Sequence, residues 1–110
     1  MSIYILRGRY NAEALKGMMA GPEDREAAIA KVVEKAGGEL IGYYVTFGED
    51  DWLVIIDCPN NQAAASVALV AAAGGSVTDT KTTVAMTSKQ AMDAFKAAGD
   101  LAKSFKSAGR

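Results

Sequence analysis

The chain has 110 residues, of which 12 are basic and 13 are acidic, so its formal net charge is -1. This length fits one domain with a single core, and the charge lacks the basic excess of a nucleic-acid binder. No apolar stretch reaches the ~20 residues that cross a bilayer, and no N-terminal stretch has the pattern of a secretory signal. The lone cysteine excludes an internal disulfide. We therefore expect a cytoplasmic protein with no nucleic-acid partner and no membrane partner.

The first part of the chain predicts a strand followed by a broken helix. Ser2 to Tyr10 alternates in the way of a strand, with Arg7 and Arg9 on the same side as two isoleucines. Asn11 can cap a short helical piece, which is interrupted between Gly17 and Pro22. From Pro22 onward, apolar residues recur at helical spacing until a pair of glycines. This second piece is an amphipathic helix.

Two apolar strands then flank an acidic turn. The strands run from Leu40 to Phe47 and from Trp52 to Asp57. A hairpin closed by the four residues between them would pair Phe47 with Trp52, Val45 with Val54, and Tyr43 with Ile56. These six residues would share one face of the sheet, and the opposite face would receive Tyr44, Thr46, Leu53 and Ile55.

The remaining part predicts a helix, a strand and a terminal helix. An alanine-rich helix begins after an asparagine cap and stops at Gly74. Ser76 to Met86 is an outer strand rich in threonine, and Thr87 with Gln90 forms a capping-box pattern for the last helix. We assign residues 1–98 to the domain, and residues 99–110 to an extension of that helix or a solvated tail.

This order of elements predicts an α+β protein of the ferredoxin-like type. The arrangement is βαββαβ with a four-stranded antiparallel sheet, helices on one face of it, and an extra C-terminal helix. The third strand is apolar at consecutive positions, so both of its faces should be buried. Because so small a domain covers only one face with helices, a second copy of the chain is the simplest cover for the other. We therefore expect a homodimer or a larger homo-oligomer.

Four blocks of sequence together resemble the GYD-domain family. They are residues 6–10 (LRGRY), residues 36–40 (AGGEL), residues 43–51 (YYVTFGEDD) and the valine-isoleucine strand that follows. The resemblance covers roughly residues 3–96 and implies a ferredoxin-like fold of the dimeric α+β barrel kind. The family's usual aromatic residue before the last aspartate of its motif is replaced here by Asp50. Because the family has no assigned activity, the resemblance implies a fold and leaves the function open.

Two arginines are the most suggestive polar residues. Arg7 and Arg9 lie on one face of a strand that should be central, where a charge needs a partner or a wet cavity. Ion pairing with Asp57, Asp79 or carboxylates of a second copy is favoured over binding of an anionic or carbonyl-bearing molecule beside Tyr44. The chain has no histidine, which excludes histidine-dependent triads and metal sites.

An aromatic cluster and the acidic turn are the other candidate sites. Tyr43, Phe47 and Trp52 could line a flat pocket for an aromatic molecule, although core or interface is the commoner role of such a cluster. The turn residues Glu49, Asp50 and Asp51 lack the spacing of a calcium loop, so we expect no metal and a solvated turn.

Two kinds of function remain open. The favoured hypothesis is a homo-oligomeric protein with a structural or small-metabolite-binding role and no cofactor. The alternative is a cofactor-independent enzyme, of the oxygenase or isomerase type, that acts on a small aromatic or carbonyl compound. The missing histidine removes a common general base and leaves Glu49, Asp51 or Tyr44 as substitutes without an activating neighbour.

Overall fold

The computed structural model describes residues 1–109 and forms one four-stranded sheet with four helices. In chain order the elements are β1 (Ser2–Tyr10), α1 (Ala12–Ala20), α2 (Glu26–Lys35), β2 (Glu39–Val45), β3 (Trp52–Cys58), α3 (Asn61–Ala73), β4 (Val77–Ala85) and α4 (Ser88–Ala102). The predicted order of elements is confirmed, and so are the bounds of the first strand.

The strands lie in the order β2, β3, β1, β4, and all neighbours are antiparallel. β1 is therefore central, with Ile5 opposite Ile55 of β3 on one side and Thr83 of β4 on the other. This is the ferredoxin-like arrangement that the sequence predicts.

Helices α2 and α3 cover one face of this sheet. The core on that face is formed by buried residues of β1, β3, α2 and α3, namely Tyr4, Leu6, Val33, Trp52, Val54, Ile56, Cys58, Ala64 and Val67. Gly8 of β1 lies against the indole of Trp52, where a β-carbon would clash with the ring and approach the carbonyl oxygen of Thr78 to 3.1 Å. The glycine thus makes room for the largest side chain of the core.

The hairpin between β2 and β3 differs from the predicted one. Val45, not Phe47, lies opposite Trp52, and Tyr43 lies opposite Val54. The predicted register was therefore wrong by two residues. Tyr43, Val45, Trp52 and Val54 do lie on one face of the sheet, as predicted. Phe47 lies outside the strand and is 99% exposed, so it is part of neither the core nor an aromatic pocket within this chain.

The loop is longer than expected because the acidic turn binds β1. The amide of Asp51 donates to the carbonyl oxygen of Gly8 at 2.8 Å, and the amide of Thr46 donates to the carbonyl oxygen of Asp51 at 2.8 Å. The first of these bonds joins the turn to a strand that is distant in sequence, and the second continues the hairpin by one pair. A second irregularity lies between Leu40 and Gly42, where the register of β2 shifts by one residue.

The helices follow their predicted caps. Asn11 caps α1, Asn60 caps α3, and the capping box of Thr87 with Gln90 begins α4. The break between α1 and α2 is confirmed, but α2 begins at Glu26 and not in the turn after Pro22.

Helix α4 projects from the rest of the molecule. None of its residues is buried. The radius of gyration is 17.9 Å and the longest dimension is 60 Å, whereas a compact domain of this length has a radius of about 13 Å. The helix continues through Gly99 as far as Ala102. Within residues 1–109, no helix has the length and apolar character needed to span a bilayer.

Candidate functional site

The sheet separates the predicted site residues into two groups. The register places Tyr43 and Trp52 on the face covered by helices. Arg7, Arg9 and Tyr44 lie on the other face, which is called the open face below. The five residues therefore do not form one site, because a pleated strand directs alternate side chains to opposite sides.

A cavity of about 760 Å³ lies between the sheet and the helices α1, α2 and α3. Its volume falls in the ordinary range of small-molecule sites, which is about 300–1,000 Å³. The lining is mainly apolar and includes Leu6, Val54, Ile29, Val67 and Val77. Three aromatic side chains complete it, namely Tyr10, Tyr43 and Trp52.

Few polar groups line this cavity, and two of them are tyrosine hydroxyls. The hydroxyl oxygens of Tyr10 and Tyr43 lie 2.8 Å apart and share a hydrogen bond. Burial, and then this hydrogen bond, raises the pKa of Tyr10 well above its ordinary value. The Tyr10 hydroxyl is therefore protonated at neutral pH. Because one hydroxyl donates to the other, the pair retains one O–H group that can donate to a ligand.

Asn11 and Ser76 add further polar side chains to the lining, whereas the indole nitrogen of Trp52 does not face the cavity. Its Nε1 is buried and has no hydrogen-bond partner among the described residues. An indole N–H is a donor only, and a buried donor without an acceptor is costly. This edge of the indole lies against Gly8 of β1, so the ring contributes apolar surface to the cavity and its N–H does not face a ligand.

Charged residues are confined to the rim of the cavity. Arg25 and Glu23 both line it, and they form an ion pair with 2.9 Å between Nη1 and Oε1. Glu13 of α1 adds a further negative charge at the rim. The charge of Arg25 nevertheless reaches the interior, where it opposes the rise in the pKa of Tyr10.

On the open face, the acidic turn supplies partners for both arginines. Arg7 Nε lies 3.9 Å from Asp50 Oδ2, and Lys81 Nζ lies 3.0 Å from Asp50 Oδ1. Arg9 Nε lies 3.8 Å from Asp51 Oδ2, which also accepts the amide of Tyr10 at 2.9 Å. Ion pairing of the arginines agrees with the favoured interpretation of the sequence, but the partners differ from those named there.

The acidic turn is less solvated than expected. The side chain of Asp50 is only 12% exposed, whereas Glu49 is exposed. No group of three or more acidic or sulfur ligands with the geometry of a metal site occurs in the part of the chain that the structure describes.

The centre of the open face is apolar and only half-buried. It is formed by Ile3, Ile5, Leu53 and Ile55. Two buried side-chain atoms at its ends, Arg7 Nε and Asp57 Oδ1, have no hydrogen-bond partner within residues 1–109. The face thus combines an apolar centre with two buried polar atoms that lack hydrogen bonds, one on a cation and one on an anion.

Cys58 is buried in the core at the end of β3. Burial, and then the neighbouring charge of Asp57, raises the pKa of the thiol. The thiol is therefore protonated and unreactive at neutral pH, as expected for a structural cysteine.

Sequence reasoning missed Tyr10 and Arg25 as cavity residues. The signal for Tyr10 was present, since it follows Tyr4, Leu6 and Gly8 on one face of the strand. No pattern in the sequence indicates Arg25, because it lies in the connection between α1 and α2. Only the packing of these helices over the sheet brings it to the cavity.

The fold and the site define a ferredoxin-like α+β domain with a cavity under its helices and an uncovered sheet face. The GYD domain family matches residues 4–95, and the chain belongs to that family. A comparison with curated proteins finds no match.

Solved structures with the same fold are distant in sequence. TTHA0845 from Thermus thermophilus has a TM-score of 0.52 at 13% identity, over 80% of this chain and 96% of its own. MtbAldR has a TM-score of 0.54 at 9% identity, over 78% of this chain and 52% of its own. An AsnC family transcriptional regulator from Agrobacterium tumefaciens has a TM-score of 0.49 at 19% identity, over 78% of this chain and 51% of its own. This chain therefore spans about half the length of each of the last two proteins. At such low identity the likenesses to TTHA0845 and MtbAldR establish the fold alone.

Proposed function

We propose that this protein is a homo-oligomer that binds a small, uncharged, mainly apolar metabolite in the cavity between its sheet and its helices. The observation that carries the proposal is the cavity itself, about 760 Å³ in volume and lined by Tyr10, Tyr43 and Trp52. A cavity of this size with a few convergent polar groups is the ordinary form of a small-molecule site.

The polar groups of the cavity indicate the chemistry of the ligand. The paired hydroxyls of Tyr10 and Tyr43 offer a hydrogen-bond donor. A carbonyl or ether oxygen would accept from them, and a planar ring would pack against the aromatic side chains. An anion would lose its hydration against a single nearby countercharge, Arg25, which lies at the rim and is already paired with Glu23. We therefore favour an aromatic ketone, or a similar neutral compound, over an anion.

The experiment is a titration of the full chain with neutral aromatic ketones such as tetralone, followed by thermal shift and calorimetry. Naphthoate serves as the charged counterpart of similar size. The Tyr43→Phe variant should bind the ketones about fivefold more weakly, since a lost hydrogen bond costs about 1 kcal/mol. Tyr44→Phe, one residue away on the open face, is the matched control and should bind normally. Binding of naphthoate alone, with dependence on Arg9, would contradict this assignment.

Self-association through the open face is the second part of the proposal. Arg7 and Asp57 lie at opposite ends of this face, four residues apart along β1 and β3, and each has a buried atom without a hydrogen bond among the described residues, although Arg7 Nε also lies 3.9 Å from Asp50 Oδ2. A two-fold axis across the strands would bring Asp57 of a second copy to the level of Arg7. The same operation would bury Ile5 and Ile55 between the two sheets.

Charge reversal tests this assembly. Arg7→Glu alone and Asp57→Arg alone should each dissociate in sedimentation velocity, because like charges would meet across the interface twice. An equimolar mixture of the two variants should form a heterodimer, since both contacts then join opposite charges. Circular dichroism verifies that each variant is folded. Failure of the folded variants to associate in the mixture would contradict the arrangement.

The catalytic alternative lacks a specific supporting observation. A general base is most effective when its pKa lies near the working pH. The pKa of Tyr10 is shifted away from that range by burial. Binding is therefore the function that the geometry supports best.

A further inference from the structure

Helix α4 has an apolar side that contacts no core residue of its own chain. Phe95 is 75% exposed and Leu101 is 72% exposed. Helical spacing places both on one side, together with four alanines at positions 91, 94, 98 and 102. The opposite side carries Lys89, Asp93, Lys96, Asp100 and Lys103. A helix with a distinct apolar stripe and no buried residue has a binding surface without an occupant.

The helix cannot reach the cavity of its own chain. β4 begins beside that cavity at Val77 and ends at Ala85, a distance of ~26 Å at ~3.3 Å per residue. Only Met86 and Thr87 join β4 to α4, and the capping box fixes where the helix begins. From there α4 extends away from the body for ~22 Å, at ~1.5 Å for each of its residues.

The distribution of charge indicates what the helix binds. Residues 88–110 contain five basic and two acidic side chains, whereas residues 1–87 contain seven basic and eleven acidic ones. The C-terminal segment is thus positive and the body is negative. Acidic residues outnumber basic ones where α1 meets α2, with Glu13, Glu23, Asp24 and Glu26 against Lys16 and Arg25, and two of the acidic residues line the rim of the cavity. Opposite charges attract the segment of one copy to the body of another.

The rim of the cavity also offers apolar surface. Leu15, Met19 and Val70 are exposed on α1 and α3, and Val70 lines the cavity. We propose that α4 of one copy packs its apolar side across the cavity rim of a second copy, between α1 and α3, and closes that cavity. The closing role rests on the proposed function, whereas the docking itself requires only that two copies associate.

Cross-linking between differently tagged copies tests the docking in the absence of any ligand. One copy carries Ala98→Cys in the middle of the apolar stripe. The other carries Gly17→Cys on α1, where a β-carbon meets no atom within 4 Å. The native Cys58 is buried and is expected to remain unlabelled.

A short bis-maleimide should join the two tagged chains, and mass spectrometry identifies the joined residues. Lys35→Cys, at the far end of α2, is the matched control and should not be joined to Ala98→Cys.

Two further variants show whether the apolar stripe is responsible. Phe95→Ser with Leu101→Ser should lower the cross-linked yield about tenfold or more, because two large apolar side chains no longer become buried. Asp93→Ser with Lys103→Ser removes two polar side chains from the other side of α4 and should leave the yield unchanged. An equal loss in both pairs would overturn the proposal.

The remaining outcomes are decisive as well. A single chain with both cysteines that cross-links to itself at high dilution would show that α4 folds onto its own body. An associated protein without the cross-link between copies would show that α4 binds something else. Both results would overturn cross-subunit docking, and neither would affect the titration that tests ligand binding by the cavity.

Discussion

The two faces of the sheet have similar apolar content and different surroundings. Val54 and Ile56 of β3 lie under helices and are buried, whereas Leu53 and Ile55 of the same strand remain half-buried on the open face. The covered face holds a cavity with a pair of tyrosine hydroxyls, and the open face holds ion pairs around an apolar centre. A single strand therefore contributes to two different surfaces, and adjacent residues of one sequence can serve separate roles.

The largest expected effect is on folding stability, and it should differ between two adjacent residues of β3 that lie on opposite faces. Val54→Asp should destabilise folding by about 4 kcal/mol or more, because an unpaired carboxylate would be buried in the core. Ile55→Asp should cost about 1 kcal/mol in folding, since its side chain can reach water, but it should abolish self-association. Urea denaturation and sedimentation velocity measure the two quantities. Equal losses of stability, with association unchanged, would contradict the distinction between the faces.

The acidic turn provides a graded test on the open side. Asp51→Ala should cost about 2 kcal/mol, since the carboxylate accepts the amide of Tyr10 and faces Arg9. Asp50→Ala should cost about 1 kcal/mol, because Arg7 and Lys81 lose their shared partner. Glu49→Ala is the control and should lie within about 0.5 kcal/mol of wild type. Chemical denaturation should give this order; a larger loss for Glu49 than for Asp51 would refute the turn geometry.

A smaller effect concerns pH on the covered side. The ordinary pKa of Tyr10 is 10.0, and its folded value is raised, chiefly by burial. Its contribution to stability is therefore complete below pH 10 and is lost as the pH rises above that value. Tyr10→Phe should reduce the alkaline loss of stability, while Tyr44→Phe on the open face should not. Thermal melts from neutral to strongly alkaline pH provide the comparison, and identical curves for wild type and Tyr10→Phe would contradict it.

The extent to which sequence predicted this molecule depends on the range of the interactions involved. The helix caps at Asn11, Asn60 and Thr87 are local, and each was visible in the pattern of neighbouring residues. The hairpin register was not, because Asp51 pairs with Gly8 of a different strand and lengthens the loop. Periodicity alone places a residue on a face but does not identify which residue lies opposite.

The candidate site shows the same limit. Tyr43 and Trp52 were assigned correctly to one face, yet their grouping with Arg7 and Arg9 placed residues of opposite faces together. The cavity depends on how α1 and α2 are spaced above the sheet, which alternation within strands does not encode. Its rim residue Arg25 was missed for that reason.

Hydroxyl-radical footprinting at increasing protein concentration tests most directly whether the two faces have separate roles. As copies associate, Leu53 and Ile55 on the open face should become protected, while Trp52 and Val54 on the covered face should keep a constant, low reactivity. Protection confined to the open face is the predicted result. Protection of Trp52 with association, while Leu53 and Ile55 stay reactive, would contradict the assignment of self-association to the open face.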